Sequence, residues 1–193
     1  MDSKKKKLVL LTLILAFVAL LISAYVIYER LGETVKPNQL EGQEHKESQA
    51  DAPEKEKAYD FTVYDIEGNE VHLSDYLGTP IVLNFWASWC GPCQREMPDF
   101  QEKYLEWGNE IQFLMVNMTD GSRETVDIAS AFIEEQEYTF PVFYDTEYDA
   151  ANTYGVYSLP MTVLIDSEGY IAGYASGAID GETLQIGIDM IKE

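Results

Sequence analysis

Cysteine and histidine are scarce in this chain, with two of each among 193 residues. A structural zinc ion normally takes four ligands, commonly two cysteine pairs or cysteines with histidines. A single pair, Cys90 and Cys93, with His45 and His72 apart from it in sequence, does not supply that donor set. A disulfide framework is excluded on the same count. A Cys90–Cys93 staple would close so small a loop that it would constrain the unfolded chain very little. Positive charge is scarce too: 13 Lys and Arg stand against 34 Asp and Glu, a net charge of −21. From Ala58 onward the imbalance is 25 acids to four bases, Arg95, Lys103, Arg123 and Lys192. Nucleic acid and anionic lipid headgroups are therefore poor partners for this part of the chain, whose acids favour solubility. Internal repeats and low-complexity segments are also absent.

Only one long apolar run is present. Lys4 to Lys7 precede LVLLTLILAFVALLISAYVIY, Leu8 to Tyr28, which carries no charge. At 1.5 Å per residue such a run spans the hydrocarbon core as a helix. Lysines held on the cytoplasmic side place everything after Tyr28 outside the cytoplasm. A cleaved signal peptide is the rival reading, but its apolar region is usually only ~7–15 residues and ends in a small-x-small site. Ile22-Ser23-Ala24 has a bulky residue at the first small position, and no cysteine follows the run to carry a lipid. We expect residues 1–7 as a cytoplasmic basic tail, 8–28 as a retained transmembrane signal anchor and 29–57 as a flexible polar linker. That linker has too little apolar surface to offset its chain entropy. Residues 58–193 form the working domain.

Within the domain, two short alternating runs flank Glu67-Gly68-Asn69 and predict a hairpin. PIVLNFW is a continuous apolar run suited to a strand buried on both faces. Met97, Phe100, Tyr104 and Trp107 recur at helical spacing, with Pro98 set to kink the helix early. IQFLMVNM predicts a second buried strand, Thr125 to Glu137 a helix, and Glu147 to Tyr154 a short helix after a turn-rich stretch. MTVLID and YIAGYAS predict two strands, and Gly181 to Lys192 a closing amphipathic helix. Strands alternating with helices, then a hairpin and a helix, indicate an α/β fold with a mixed sheet.

The two cysteines sit in FWASWCGPCQREMPDF, residues 85 to 100, between a buried strand and a helix. Cys90 falls where unpaired N–H groups and the helix dipole favour thiolate over thiol. Cys93, about one turn on and facing inward, is placed to attack a mixed disulfide formed on an exposed Cys90. Pro92 fits the first helical turn, where a missing N–H costs nothing. A redox pair accounts for this order of strand, cysteines and helix better than a staple or half a metal site does.

Trp89-Cys90-Gly91-Pro92-Cys93 resembles the active site of the thioredoxin superfamily. The likeness extends through IVLNFWASWCGPCQREMPDF, FPVFYD and YGVYSLPMTVLIDSEGYI to the terminal helix, and is nearest to the membrane-anchored TlpA/ResA branch of bacterial extracytoplasmic thiol-disulfide oxidoreductases. The resemblance implies a thioredoxin-like α/β fold, a central mixed sheet flanked by helices with an N-terminal β-hairpin, preceded by one transmembrane helix. It implies Cys90 and Cys93 as the catalytic pair, with their reversible disulfide in place of any cofactor. It implies a cis Leu159-Pro160 bond beside them, and a substrate-binding surface of Trp89, Gly91, Pro92 and Leu159. Asn84 stands where thioredoxin has a buried aspartate. An amide cannot relay a proton, so Glu96, three residues after Cys93 where the branch has a characteristic glutamate, is the candidate base. The bland alternative is an acid that merely suits the helix dipole.

The branch further implies a cell-membrane protein with its catalytic domain outside the cytoplasm, recharged by a polytopic thiol carrier of the CcdA or DsbD kind. Its substrates would be disulfide-bonded exported proteins, among them the haem-attachment cysteines of apocytochrome c, or an enzyme such as a methionine sulfoxide reductase. The Gly-Pro dipeptide matches the reducing thioredoxins, which favours a reductase over a disulfide-forming oxidase. A peroxidase of the peroxiredoxin kind would carry a proline at Leu83 and a threonine or serine at Ala87. A tethered binding protein would hold the pair as an inert disulfide.

Overall fold

A computed structural model of the protein describes residues 56–192. The apolar run 8–28 and most of the expected linker lie outside them. Among the described residues no helix is long and apolar enough to cross a membrane.

The strands are β1 (Thr62–Tyr64), β2 (Glu70–His72), β3 (Ile81–Trp86), β4 (Gln112–Asn117), β5 (Val142–Tyr144), β6 (Met161–Ile165) and β7 (Ile171–Ser176). The helices are α1 (Gly91–Trp107), α2 (Val126–Glu135), α3 (Asp149–Thr153) and α4 (Gly181–Ile191). The strands form one mixed sheet in the order β2-β1-β5-β4-β3-β6-β7. β3 pairs parallel with β4 on one side and antiparallel with β6 on the other. All six of its residues are buried.

Successive strand side chains point to opposite faces, so an unbroken apolar run serves two cores at once. Val82 and Trp86 join the core that also takes Cys93, Met97 and Phe100 of α1 and Leu184 and Ile188 of α4. Ile81, Leu83 and Phe85 join the opposite core, with Phe61, Val63 and Ala150. Asn84 shares the parity of Val82 and Trp86, so β3 delivers one amide into the core beneath α1.

The predicted hairpin is β1–β2, followed by a 3-10 turn over Leu73–Tyr76. β5 lies in the stretch expected to be turn-rich. Three residues are too few to display an alternation, and tertiary pairing defines the strand. β5 runs parallel to β4, and Tyr144 pairs with Tyr64 to dock the hairpin on the sheet. α1 continues through Pro98. Thr125 and Asp180 cap α2 and α4 by accepting the N–H groups of Ile128 and Thr183. Ahead of β1, Lys57 bridges to Tyr170, and Ile171 N–H donates to the Glu56 carbonyl at 2.8 Å.

α4 packs tightly against Leu164 of β6 at Gly187. A Cβ there would land on Leu164 Cδ1, with Cδ2 at 3.2 Å, and Leu164 is fully buried on β6. Overpacking a well-filled core typically costs ~1–3 kcal/mol. The ~1 kcal/mol that alanine gains over glycine within a helix offsets only part of this. Gly187→Ala should lower the urea midpoint of the domain at unchanged m-value.

Candidate active site

β3 feeds the chain directly into the cysteine turn. Cys90 N–H donates to the Ala87 carbonyl at 3.1 Å, which closes the turn after Trp86. Cys90 then caps α1, its Sγ accepting the Cys93 N–H at 3.2 Å, and Pro92 occupies the first helical turn. Cys90 and Cys93 form a disulfide, with Cα atoms 5.3 Å apart. The free N–H groups and the positive end of the helix dipole favour negative charge on Cys90 once the bond is reduced. Cys93 is fully buried, as expected. Cys90 is not the open nucleophile expected from sequence: only 5% of it is exposed. Its cap contact and its bond to buried Cys93 draw its sulfur inward, while Trp89 is 41% exposed and Gly91 is also at the surface.

Glu96 is buried in the second turn of α1, beneath Asn84 of β3. Its Oε1 accepts from Asn84 Nδ2 at 2.9 Å and its Oε2 from Ile179 N–H at 3.0 Å, just ahead of α4. Asn84 Nδ2 also donates to Thr162 Oγ1, opposite it on β6, at 3.1 Å. Burial pushes the Glu96 carboxyl up to about 7; the Asn84 and Ile179 hydrogen bonds oppose this and the Asp99 charge adds to it. Among the described residues Asn84 Oδ1 has no hydrogen-bond partner. Turned over, the same amide would accept the proton of a neutral Glu96, so the pair accommodates both forms of the acid. The first turn of α1 holds no acid, so the dipole does not account for this glutamate.

Leu159-Pro160 is a cis peptide bond, as the resemblance implies. Met161 pairs with Phe85, so buried Pro160 falls beside Trp86, where β3 leads into the cysteine turn. Leu159 packs on the core that holds both cysteines. Trp89, Gly91 and Pro92 share this end of the sheet with them.

Two further residues grip the turn that were not singled out from sequence. Glu124, fully buried, accepts from Ser88 N–H at 2.7 Å, Ser88 Oγ at 2.6 Å and Asn117 Nδ2 at 2.7 Å. Beside it, the guanidinium of Arg123 lies 3.8 Å from the centroid of the Trp89 ring. Asp120 shapes this loop by accepting the N–H groups of Ser122, Arg123 and Glu124, with Gly121 at φ +71°. The sequence signal was the turn chemistry of Asp120-Gly121. Nothing local marked which of the neighbouring acids goes inside.

The AhpC/TSA family pattern matches residues 55–174, a span that takes in the hairpin, the cysteine turn, the Asn84–Glu96 pair and Pro160. The chain belongs to the AhpC/TSA family. Within its length, this AhpC/TSA chain is 36% identical over 136 residues to the thiol-disulfide oxidoreductase ResA of Geobacillus thermodenitrificans, covering 70% of this chain and 76% of that one. Among solved structures, StoA from Bacillus subtilis matches with a TM-score of 0.59 at 27% identity, over 67% of this chain and 96% of that one. A DsbF homologue from Corynebacterium diphtheriae matches with a TM-score of 0.63 at 26% identity, over 72% and 89%. The AhpC/TSA domain is thioredoxin-like, a mixed sheet between helices, and the protein is a thiol-disulfide oxidoreductase with Cys90 and Cys93 as its redox pair. At the positions where a peroxidase would carry its proline and hydroxyl, Leu83 and Ala87 are buried apolar residues.

Proposed function

We propose that this protein is a membrane-anchored extracytoplasmic disulfide reductase, held by the run 8–28 and acting on exported proteins. The observation that carries the redox chemistry is the Cys90–Cys93 disulfide at the head of α1, with a buried carboxyl of raised proton affinity three residues beyond it. In the reduced enzyme, the Cys90 thiolate attacks a substrate disulfide and releases one substrate thiol. Cys93 then attacks Cys90 Sγ, re-forming the internal disulfide and releasing the second thiol. Glu96, when ionised, takes the proton that Cys93 gives up. Pro160, which has no N–H, and Leu159 flank the path of the substrate segment, alongside Trp89, Gly91 and Pro92. Each turnover oxidises the enzyme by two electrons, which a membrane thiol carrier of the CcdA or DsbD kind would restore.

As substrates we take the haem-attachment cysteines of apocytochrome c, a reading supported by the likeness to the TlpA/ResA branch, with an enzyme such as a methionine sulfoxide reductase as the alternative client. The reductive direction rests on the Gly-Pro dipeptide between the cysteines. Equilibration of the purified domain with dithiothreitol should give a potential near that of thioredoxin, about −270 mV. A value near the −120 mV or so of strong oxidants would make the protein a disulfide-forming oxidase.

A further inference from the structure

The domain from Ala58 onward carries 25 acids and contains two arginines, Arg95 and Arg123. Both stand at the rim of the cysteine turn. The Arg123 guanidinium covers one face of Trp89, the residue before Cys90. Arg95 reaches back along α1 so that its Nη1 lies 3.7 Å from where a Cβ on Gly91 would sit, the residue after Cys90. Both arginines are exposed. Among the described residues neither forms an ion pair with a carboxylate; the charge of Arg123 is shared at longer range with Asp120, whose carboxyl it helps to hold below the usual range. The residues on either side of Cys90, Trp89 and Gly91, thus each have an exposed arginine beside them, in a domain whose charge is predominantly negative.

We propose that Arg95 and Arg123 select protein disulfides that carry an acidic residue beside the cysteine under attack. This rests on the reductase chemistry proposed above. Guanidinium groups present planar, paired donors that match a carboxylate. Cys90 attack leaves the substrate joined to Cys90 Sγ, so the residues flanking the substrate cysteine must lie over Trp89 and Gly91, within reach of the two forks. The acidic remainder of the surface repels an acidic partner taken as a whole, so the preference is local: a single carboxylate next to the cysteine, on a protein whose net charge can be basic.

The test compares reduction of three peptide disulfides, identical except for Glu, Gln or Lys next to cysteine, by the dithiothreitol-recharged domain. The expected order of kcat/KM is Glu, Gln, Lys, with Glu favoured over Gln about three- to ten-fold at low salt and less at high salt, as screening requires. In the double variant R95Q/R123Q the Glu-to-Gln ratio should fall to about one, whereas R95K/R123K should keep a ratio above one. K103Q, remote on α1 and paired with Glu106, should keep the parental ratio. The ratio of Cys90 alkylation by iodoacetate to that by iodoacetamide reads the local field without a peptide, and should fall in R95Q/R123Q alone. A Glu-to-Gln ratio of one in the parent, or one that R95Q/R123Q leaves unchanged, overturns the proposal. A stronger preference for oxidised glutathione than for the Glu peptide would make the ligand a small thiol acid and overturn the protein-segment part. Failure to reduce any of the disulfides would sink the reductase reading, and this inference with it.

Discussion

Cys90→Ser brings insulin reduction down to the uncatalysed background, while Cys93→Ala leaves the first attack intact and fails at the second. The asymmetry follows from placement. Both cysteines pack on one core, but Cys90 caps α1 between exposed Trp89 and Gly91 and keeps 5% of its surface open, whereas Cys93, with Met97 and Phe100, has none. On the proposed mechanism Cys90 meets the substrate disulfide and Cys93 resolves it. In Cys93→Ala the substrate therefore stays attached, and mixed disulfides through Cys90 accumulate on non-reducing gels and in intact-mass spectra. Trapping through either cysteine to the same extent would remove the assignment of roles.

Glu96→Gln slows resolution of the mixed disulfide near neutral pH by up to ~10²–10⁴-fold, the usual contribution of a positioned base. In the parent the rate should climb as Glu96 ionises through about pH 7. In the variant the climb through about pH 7 should be absent. Asp99→Asn provides the contrast: it removes a charge that helps raise Glu96, so it should shift the parental midpoint slightly to acid and leave the plateau in place. Stability gives a second reading. Between the ordinary carboxyl value of 4.5 and about 7, the folded state holds a proton that the unfolded state has released. The stability this provides is complete below 4.5 and is lost as pH rises through 7, an effect on the order of 3 kcal/mol. Glu96→Gln, which never ionises, should therefore stabilise the domain above pH 8 relative to the parent and not at pH 4. Resolution rates and stability profiles that coincide with the parent from pH 5 to 9 would reduce Glu96 to a packing residue.

The elements that could be read from sequence were those with a pattern long enough to show. IVLNFW was legible as a strand buried on both faces because a central strand feeds two cores. The cysteine turn was legible because strand, pair and helix are consecutive. Glu96 was found by position, but its burial and its partners depend on Thr162 and Ile179, 66 and 83 residues further along. β5 was missed because a three-residue strand has no period and exists by pairing with β4 and β1. Glu124 and Arg123 were missed because one acid among many becomes structural only when a loop closes over Ser88. The burial of Cys90 was not legible, since sequence places the cap but not how far the disulfide draws its sulfur inward.

The close seat of α4 at Gly187 reaches beyond packing. The N–H that holds Glu96 Oε2 belongs to Ile179, two residues before α4 begins, so a change in how that helix seats on Leu164 is expected to move this donor as well. A helix lifted by one methyl group would loosen that bond and raise the acid's proton affinity further. If Glu96 is the base proposed above, the pH dependence of the reaction should shift with that seat, and two relatives with the same cysteine motif would then be set to different acidities by a residue that touches neither cysteine nor substrate.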